Sequence, residues 1–169
     1  MTTLWAVSDD PYYLLKLPLR ADLDESTMTA LRAFAEGRTP PEDSLAGLNP
    51  TVAEYLRDPI ALNPGDPANA FGTPARLATD LYGDWVLSVE FCMESDWLYG
   101  YAYVWWLWLM SLVRRKEDEG VEYLGITGYE PFQEAELVTL STVGIHVGDA
   151  VHTHEEIAES LANWTGVID

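Results

Sequence analysis

The sequence predicts an α+β fold, one antiparallel sheet with its helices on a single face. Three observations carry this expectation. Apolar and polar side chains alternate over residues 12–20 and 85–93, as they do in half-buried strands. Apolar residues recur at helical spacing behind capping residues after Asp22 or Asp24, and again after Thr153. The segments follow the order β-α-loop-β-β-α-β-β-α, whose first six elements match the split βαβ, ferredoxin-like order.

Each element has its own local reason. In residues 12–20, Tyr13, Leu15, Leu17 and Leu19 point one way, and Tyr12, Leu14, Lys16, Pro18 and Arg20 the other. Pro18 removes one ladder donor, which an edge or a bulge tolerates. The first helix takes Asp22 or Asp24 as its cap, repeats Met28, Leu31 and Phe34 on one face, and ends at Gly37. Its single apolar face places it on the sheet.

Residues 38–74 have a different texture, punctuated by Pro40, Pro41, Pro50, Pro59, Pro64, Pro67 and Pro74. They read as an insertion-like, Pro-stiffened loop. Neither flank is large enough to stand comfortably alone, so residues 1–169 are read as a single α+β domain. One short helix is expected inside the loop, capped by Asn49, with Pro50 at its first position and Val52, Tyr55 and Leu56 facing inward.

A hairpin follows, with strands over 75–81 and 85–93 and a turn at Tyr82-Gly83-Asp84. In its second strand Trp85, Leu87, Val89, Phe91 and Met93 share one face, and Ser88, Glu90, Cys92 and Glu94 the other. The helices are expected to cover the side bearing Leu15, Leu17, Val89 and Phe91.

Residues 97–116 admit two readings. Trp97, Tyr99, Tyr101, Tyr103 and Trp105 alternate as in a strand, and a pair of strands broken near Ser111 would use them so. The run is too long for one ordinary strand. Ser95 or Asp96 suits a helix N-cap, Arg114, Arg115 and Lys116 suit a helix C-terminus, and Gly120 suits a stop. A helix is the reading adopted. Two further strands are expected over 121–129 and 137–147. A final helix opens on a capping box of Thr153 and Glu156 and carries Ile157, Leu161 and Trp164.

Composition bounds the function. A hydrophobic fraction of 48% and seven tryptophans in 169 residues argue against disorder. The formal charge is -19, from 28 acidic and 9 basic side chains, while the charged fraction of 22% is ordinary. Scarce cations therefore contribute as much to the imbalance as abundant carboxylates. Direct nucleic-acid binding needs clustered cations. Here the one run, Arg114-Arg115-Lys116, is followed at once by Glu117, Asp118 and Glu119. A large negative field keeps a protein soluble, suits a salty cytoplasm, or attracts a basic partner. The single cysteine, Cys92, permits no internal disulfide and fits a reducing cytoplasm. The start, Met1 to Trp5, lacks a signal-peptide pattern. The apolar run over 97–113 falls short of the ~20 residues of a membrane span, so no membrane association is expected.

Few residues carry recognisable chemistry. His146, His152 and His154 lie close in sequence beside Asp149, Glu155 and Glu156, a donor set that Zn²⁺ or Fe²⁺ would take. Their spacing fits no standard signature, and a polar loop entering a capped helix explains them as well; no cofactor is expected. Tyr12, Lys16, Arg20, Glu90 and Glu94 would share the open sheet face. They would form a polar ligand site or, more simply, solvated cross-strand ion pairs. Cys92 stands between Glu90 and Glu94, an anionic setting that disfavours a nucleophilic thiolate. No G-x-S-x-G, Walker, dinucleotide or HExxH motif appears.

The aromatic run is the least ordinary feature. As a helix it is apolar all round, so something must cover its second side. The candidates are the Pro-rich loop, the C-terminal helix or another chain, with Trp105 and Trp106 as anchors of a partner or homodimer interface. The sequence thus predicts an acidic, non-enzymatic interaction protein, in concrete form a bacterial inhibitor or immunity-type protein acting on a basic protein partner. Asp80, Asp84, Glu117, Asp118 and Glu119 are the candidate contacts. The alternative is a small-molecule-binding or enzymatic ferredoxin-like domain with its site on the open sheet face. Salt adaptation of a housekeeping domain is a third reading.

Overall fold

The computed structural model describes residues 12–57, 75–92, 99–128 and 135–164, with side chains described at all of these except 12, 91, 92 and 99–102. In chain order the elements are β1 (Tyr12–Pro18), α1 (Glu25–Ala35), α2 (Glu42–Ala46), α3 (Pro50–Arg57), β2 (Arg76–Thr79), β3 (Trp85–Cys92), α4 (Tyr99–Ser111), β4 (Glu122–Gly128), β5 (Glu136–Leu140), β6 (Ile145–Val147), β7 (Ala150–His152) and α5 (His154–Ala162). The seven strands form one sheet in the order β2-β3-β1-β4-β5-β6-β7, and every pairing in it is antiparallel.

The α+β class agrees with expectation; the size of the sheet does not. Residues 137–147 were expected to be one strand and are two. The chain folds back over 141–144, where the Ser141 amide donates to the Gly144 carbonyl at 2.9 Å and Ser141 Oγ accepts from the Val143 amide at 3.2 Å. β7 then adds a further strand, closed onto β6 by the two-residue turn Gly148-Asp149. The sheet consequently runs three strands past β4.

Leu15, Leu17, Leu87, Val89, Val138, Leu140 and Ile145 share the buried face of the sheet. Met28, Leu31 and Phe34 of α1, Val52 and Leu56 of α3, and Ile157 and Leu161 of α5 join them in one core cluster. Local signals set the helix ends. Asp24 Oδ1 accepts from the Thr27 amide at 2.7 Å, and that bond holds the Asp24 carboxyl below its ordinary range. Asn49 Oδ1 accepts from the amides of Thr51 and Val52 ahead of Pro50. Thr153 and Glu156 complete the capping box of α5. The Pro-rich region holds α2 as well as the expected α3; residues 58–74 lie outside the described set.

The aromatic segment is a helix, but a shorter one than expected. It stops at Ser111 because Leu112–Arg114 turn extended and run beside the end of β1. The Arg20 amide donates to the Leu112 carbonyl and the Arg114 amide to the Pro18 carbonyl, each at 2.9 Å. The three cations therefore fall beyond the helix instead of on its last turn. Each takes a carboxylate instead: Arg114 with Glu122, Arg115 with Glu155, and Lys116 with Asp118. Gly120 belongs to the loop after them.

The second side of α4 is covered from within the chain. Phe34 of α1 meets Trp105 and Trp108 edge-on, with ring centroids 4.9 and 5.7 Å apart. Trp106 packs on Tyr13 of β1 at 5.6 Å, and Tyr103 packs on Trp164 at 5.0 Å. Trp105 is only 3% exposed, so its ring is consumed by the core and is not offered to a partner. No helix among the described residues is long and apolar enough to cross a membrane.

Candidate functional site

A cavity of about 280 Å³ opens between α4, α5 and the helix-covered face of the sheet. Its existence follows from the chain path. β7 ends at His152 and α5 begins at His154, so Thr153, fixed by the capping box, sets the angle at which α5 returns over the sheet. α5 packs against α4 but leaves the ends of β1, β4 and β5 uncovered. Register aims three residues into this gap, because Tyr13 pairs with Thr127 and Thr127 with Glu136.

The floor is apolar and aromatic: Tyr13, Trp106, Leu107, Val147 and Ile157. The rim is polar: Glu136, His152, Glu156 and Ser160, all exposed. Gly148 makes room for one rim carboxylate. Its φ is 57°, a left-handed value that glycine adopts freely. A Cβ built there would lie 2.9 Å from Glu136 Oε1, so the bare backbone is what lets Glu136 lie along the β6–β7 turn. Glu156 is held differently, because its Oε2 accepts from the Thr153 amide at 2.9 Å. Both carboxylates thus stand at the mouth of an aromatic-floored cavity, Glu156 held by its bond to the Thr153 amide. Aromatic faces and carboxylates both attract cations, and the cavity has room for a Lys or Arg side chain.

The residues singled out from sequence fall elsewhere or only partly here. The histidines do not converge. His152 pairs with Ile145 and points to the cavity side, whereas His146 pairs with Val151 on the opposite face. His146 Nε2 lies 2.7 Å from Ser141 Oγ. His154 Nε2 is buried without a hydrogen-bond partner among the described residues. Burial pushes its imidazole below the ordinary 6.5, and Arg115 adds to that. No group of three metal-ligating side chains occurs among the described residues.

On the open face Lys16 stands opposite Ser88, and Glu90 opposite Leu14. Arg20 lies past the end of β1 and pairs with Asp22 at 3.4 Å. Glu94 and the side chain of Tyr12 lie outside the described set.

The five candidate carboxylates lie at the other end of the sheet from the cavity, in the β2–β3 turn and in the loop after α4. Asp80 Oδ1 accepts from the amides of Tyr82 and Asp84 at 2.8 and 3.0 Å, which makes Asp80 a turn residue first. Asp118 pairs with Lys116 at 2.9 Å, and that bond holds its carboxyl below the ordinary range. Between Asp80 and Asp84, Leu81 and Tyr82 are 100% and 90% exposed.

Of the cavity residues, Tyr13 and Glu136 carry no motif, and Glu156 stood out only as half of the capping box. Only the capping box hinted at α5, and nothing local hinted at β7. Compared with known proteins, the chain matches no family model, no curated protein and no solved structure.

Proposed function

We propose that this is an acidic, non-enzymatic binding protein that receives a cationic side chain of a basic protein partner in the cavity between α4 and α5. The observation that carries the reading is the pairing of an aromatic floor, Tyr13 and Trp106, with a rim bearing Glu136 and Glu156. The net charge of -19 supports it at long range, since a negative field speeds encounter with a basic surface. An inhibitor or immunity-type role, neutralising such a partner, is the concrete form we favour. Neither carboxylate at the cavity is buried, so neither has the desolvated setting that tunes a catalytic acid or base, which favours binding over the enzymatic alternative on the open sheet face.

The test uses the full chain and an Arg/Lys-rich peptide, followed by isothermal titration at low and high salt. Micromolar binding at low salt is expected, weakened about tenfold or more by Glu136→Lys and far less by Glu117→Lys, which lies away from the cavity. Equal losses in the two variants would leave only a diffuse charge effect, and absence of binding to the wild type would end the proposal.

We also read β1-α1-β2-β3-α4-β4 as a split βαβ unit. The order β2-β3-β1-β4 within the sheet supports this. β5, β6 and β7 then form the addition that builds the cavity.

A further inference from the structure

Among the described residues, the open face of the sheet is poor in negative charge in a chain otherwise dominated by it. Register assigns its rows. One row runs Leu137, Ile126, Leu14, Glu90 across β5, β4, β1 and β3. The next runs Val151, His146, Thr139, Tyr123 across β7, β6, β5 and β4. A third runs Lys16, Ser88, Arg76 across β1, β3 and β2. These rows hold two cations and one carboxylate, whereas the chain holds 28 acidic side chains.

The cations have a second peculiarity. Arg20, Arg32, Arg38, Arg57, Arg114, Arg115 and Lys116 each form a salt bridge within the chain. Lys16 and Arg76 form none among the described residues, and both stand on this face. Beside them is exposed apolar surface: Tyr123 is 60% exposed, Leu137 54% and Val151 42%, with Leu14 and Ile126 half-buried between.

From this distribution we infer that the open sheet face is where two copies of the chain associate. Copies carrying -19 each repel through most of their surfaces. This face lets them approach with apolar contact and little like-charge cost, and a two-fold pairing needs only that one patch suit itself. Seven strands at ~4.8 Å spacing make it about 30 Å wide, a span compatible with the ~800 Å² per partner of a stable interface. The cavity lies on the opposite face of the sheet, so a dimer formed this way leaves two cavities free.

Sedimentation equilibrium of the full chain, from micromolar to sub-millimolar concentration at low and high salt, tests this. The expected result is a mass rising from 18.9 kDa to twice that, with dimerisation strengthened by salt. Leu137→Asp and Tyr123→Asp should each weaken dimerisation about tenfold or more and keep the wild-type melting transition, because both side chains are exposed. Lys16→Glu, fully on the surface, provides a third variant and should also weaken it. A wild type that stays at 18.9 kDa throughout, or association untouched by these substitutions, would overturn the inference. Loss of association on Glu136→Lys instead would move the interface to the cavity. Peptide binding by a monomeric wild type would leave the cavity proposal standing without this one.

Discussion

His154 is the residue whose setting has the clearest consequence in solution. It occupies the first position of α5, and burial together with Arg115 lowers its pKa from 6.5. Its folded form therefore releases a proton more readily than its unfolded form. The stability it confers is complete above the unfolded value and is lost as pH falls from about 6.5 through the folded value. The melting temperature should thus decline as pH falls below about 6.5, and His154→Gln should flatten that decline. Glu155, hydrogen-bonded to Arg115 and depressed for that reason, acts in a lower window and should leave its own loss of stability at more acid pH in both proteins. A melting-temperature profile against pH that is identical for wild type and variant would show that His154 does not contribute.

At the scale of elements, α4 is the structural centre. Its tryptophans serve different ends. Trp108 fills the space under Phe34, and Trp108→Ala should cost about 3–5 kcal/mol by urea denaturation. Trp105 buries an indole N–H with no partner among the described residues, so Trp105→Phe removes an unsatisfied donor along with some volume and should fall within about 1 kcal/mol of wild type. A large loss on Trp105→Phe would mean that the N–H is satisfied after all. Several elements were legible in the sequence because their causes are local. The capping box of Thr153 and Glu156, the Asn49-Pro50 start of α3 and the alternation in β3 each lie within a few residues. The division of residues 137–147 was not legible, because Val143 and Ile145 are good strand formers. What divides them is the turn at 141–144, closed by the Ser141 amide on the Gly144 carbonyl, and β7 then packs so close that a Cβ at Gly144 would lie 2.3 Å from the His152 carbonyl oxygen. The cavity escaped notice for the same reason, since it depends on β7.

For the whole molecule, charge decides more than any single contact. The seven salt bridges among the described residues are mostly exposed pairs, each worth little, and 9 basic side chains cannot balance 28 acidic ones. Screening should therefore stabilise the fold. Raising sodium chloride from about 0.1 M to about 1 M shortens the Debye length from ~10 to ~3 Å, and the melting midpoint should rise by about 5 °C. A midpoint that falls would show that the ion pairs outweigh the repulsion. The acidity was plain from composition, but its distribution was not. Only the strand register shows Lys16 and Arg76 gathered on one side of the sheet, two positions with nothing in common along the chain.

That gathering makes the protein unusually simple to label. It has two lysines. The Lys116 side chain is 9% exposed and engaged by Asp118, while Lys16 stands open on the sheet. Of the two, an amine-reactive dye or crosslinker used sparingly should therefore modify Lys16 in preference to Lys116, a difference that peptide mapping of the labelled chain would read.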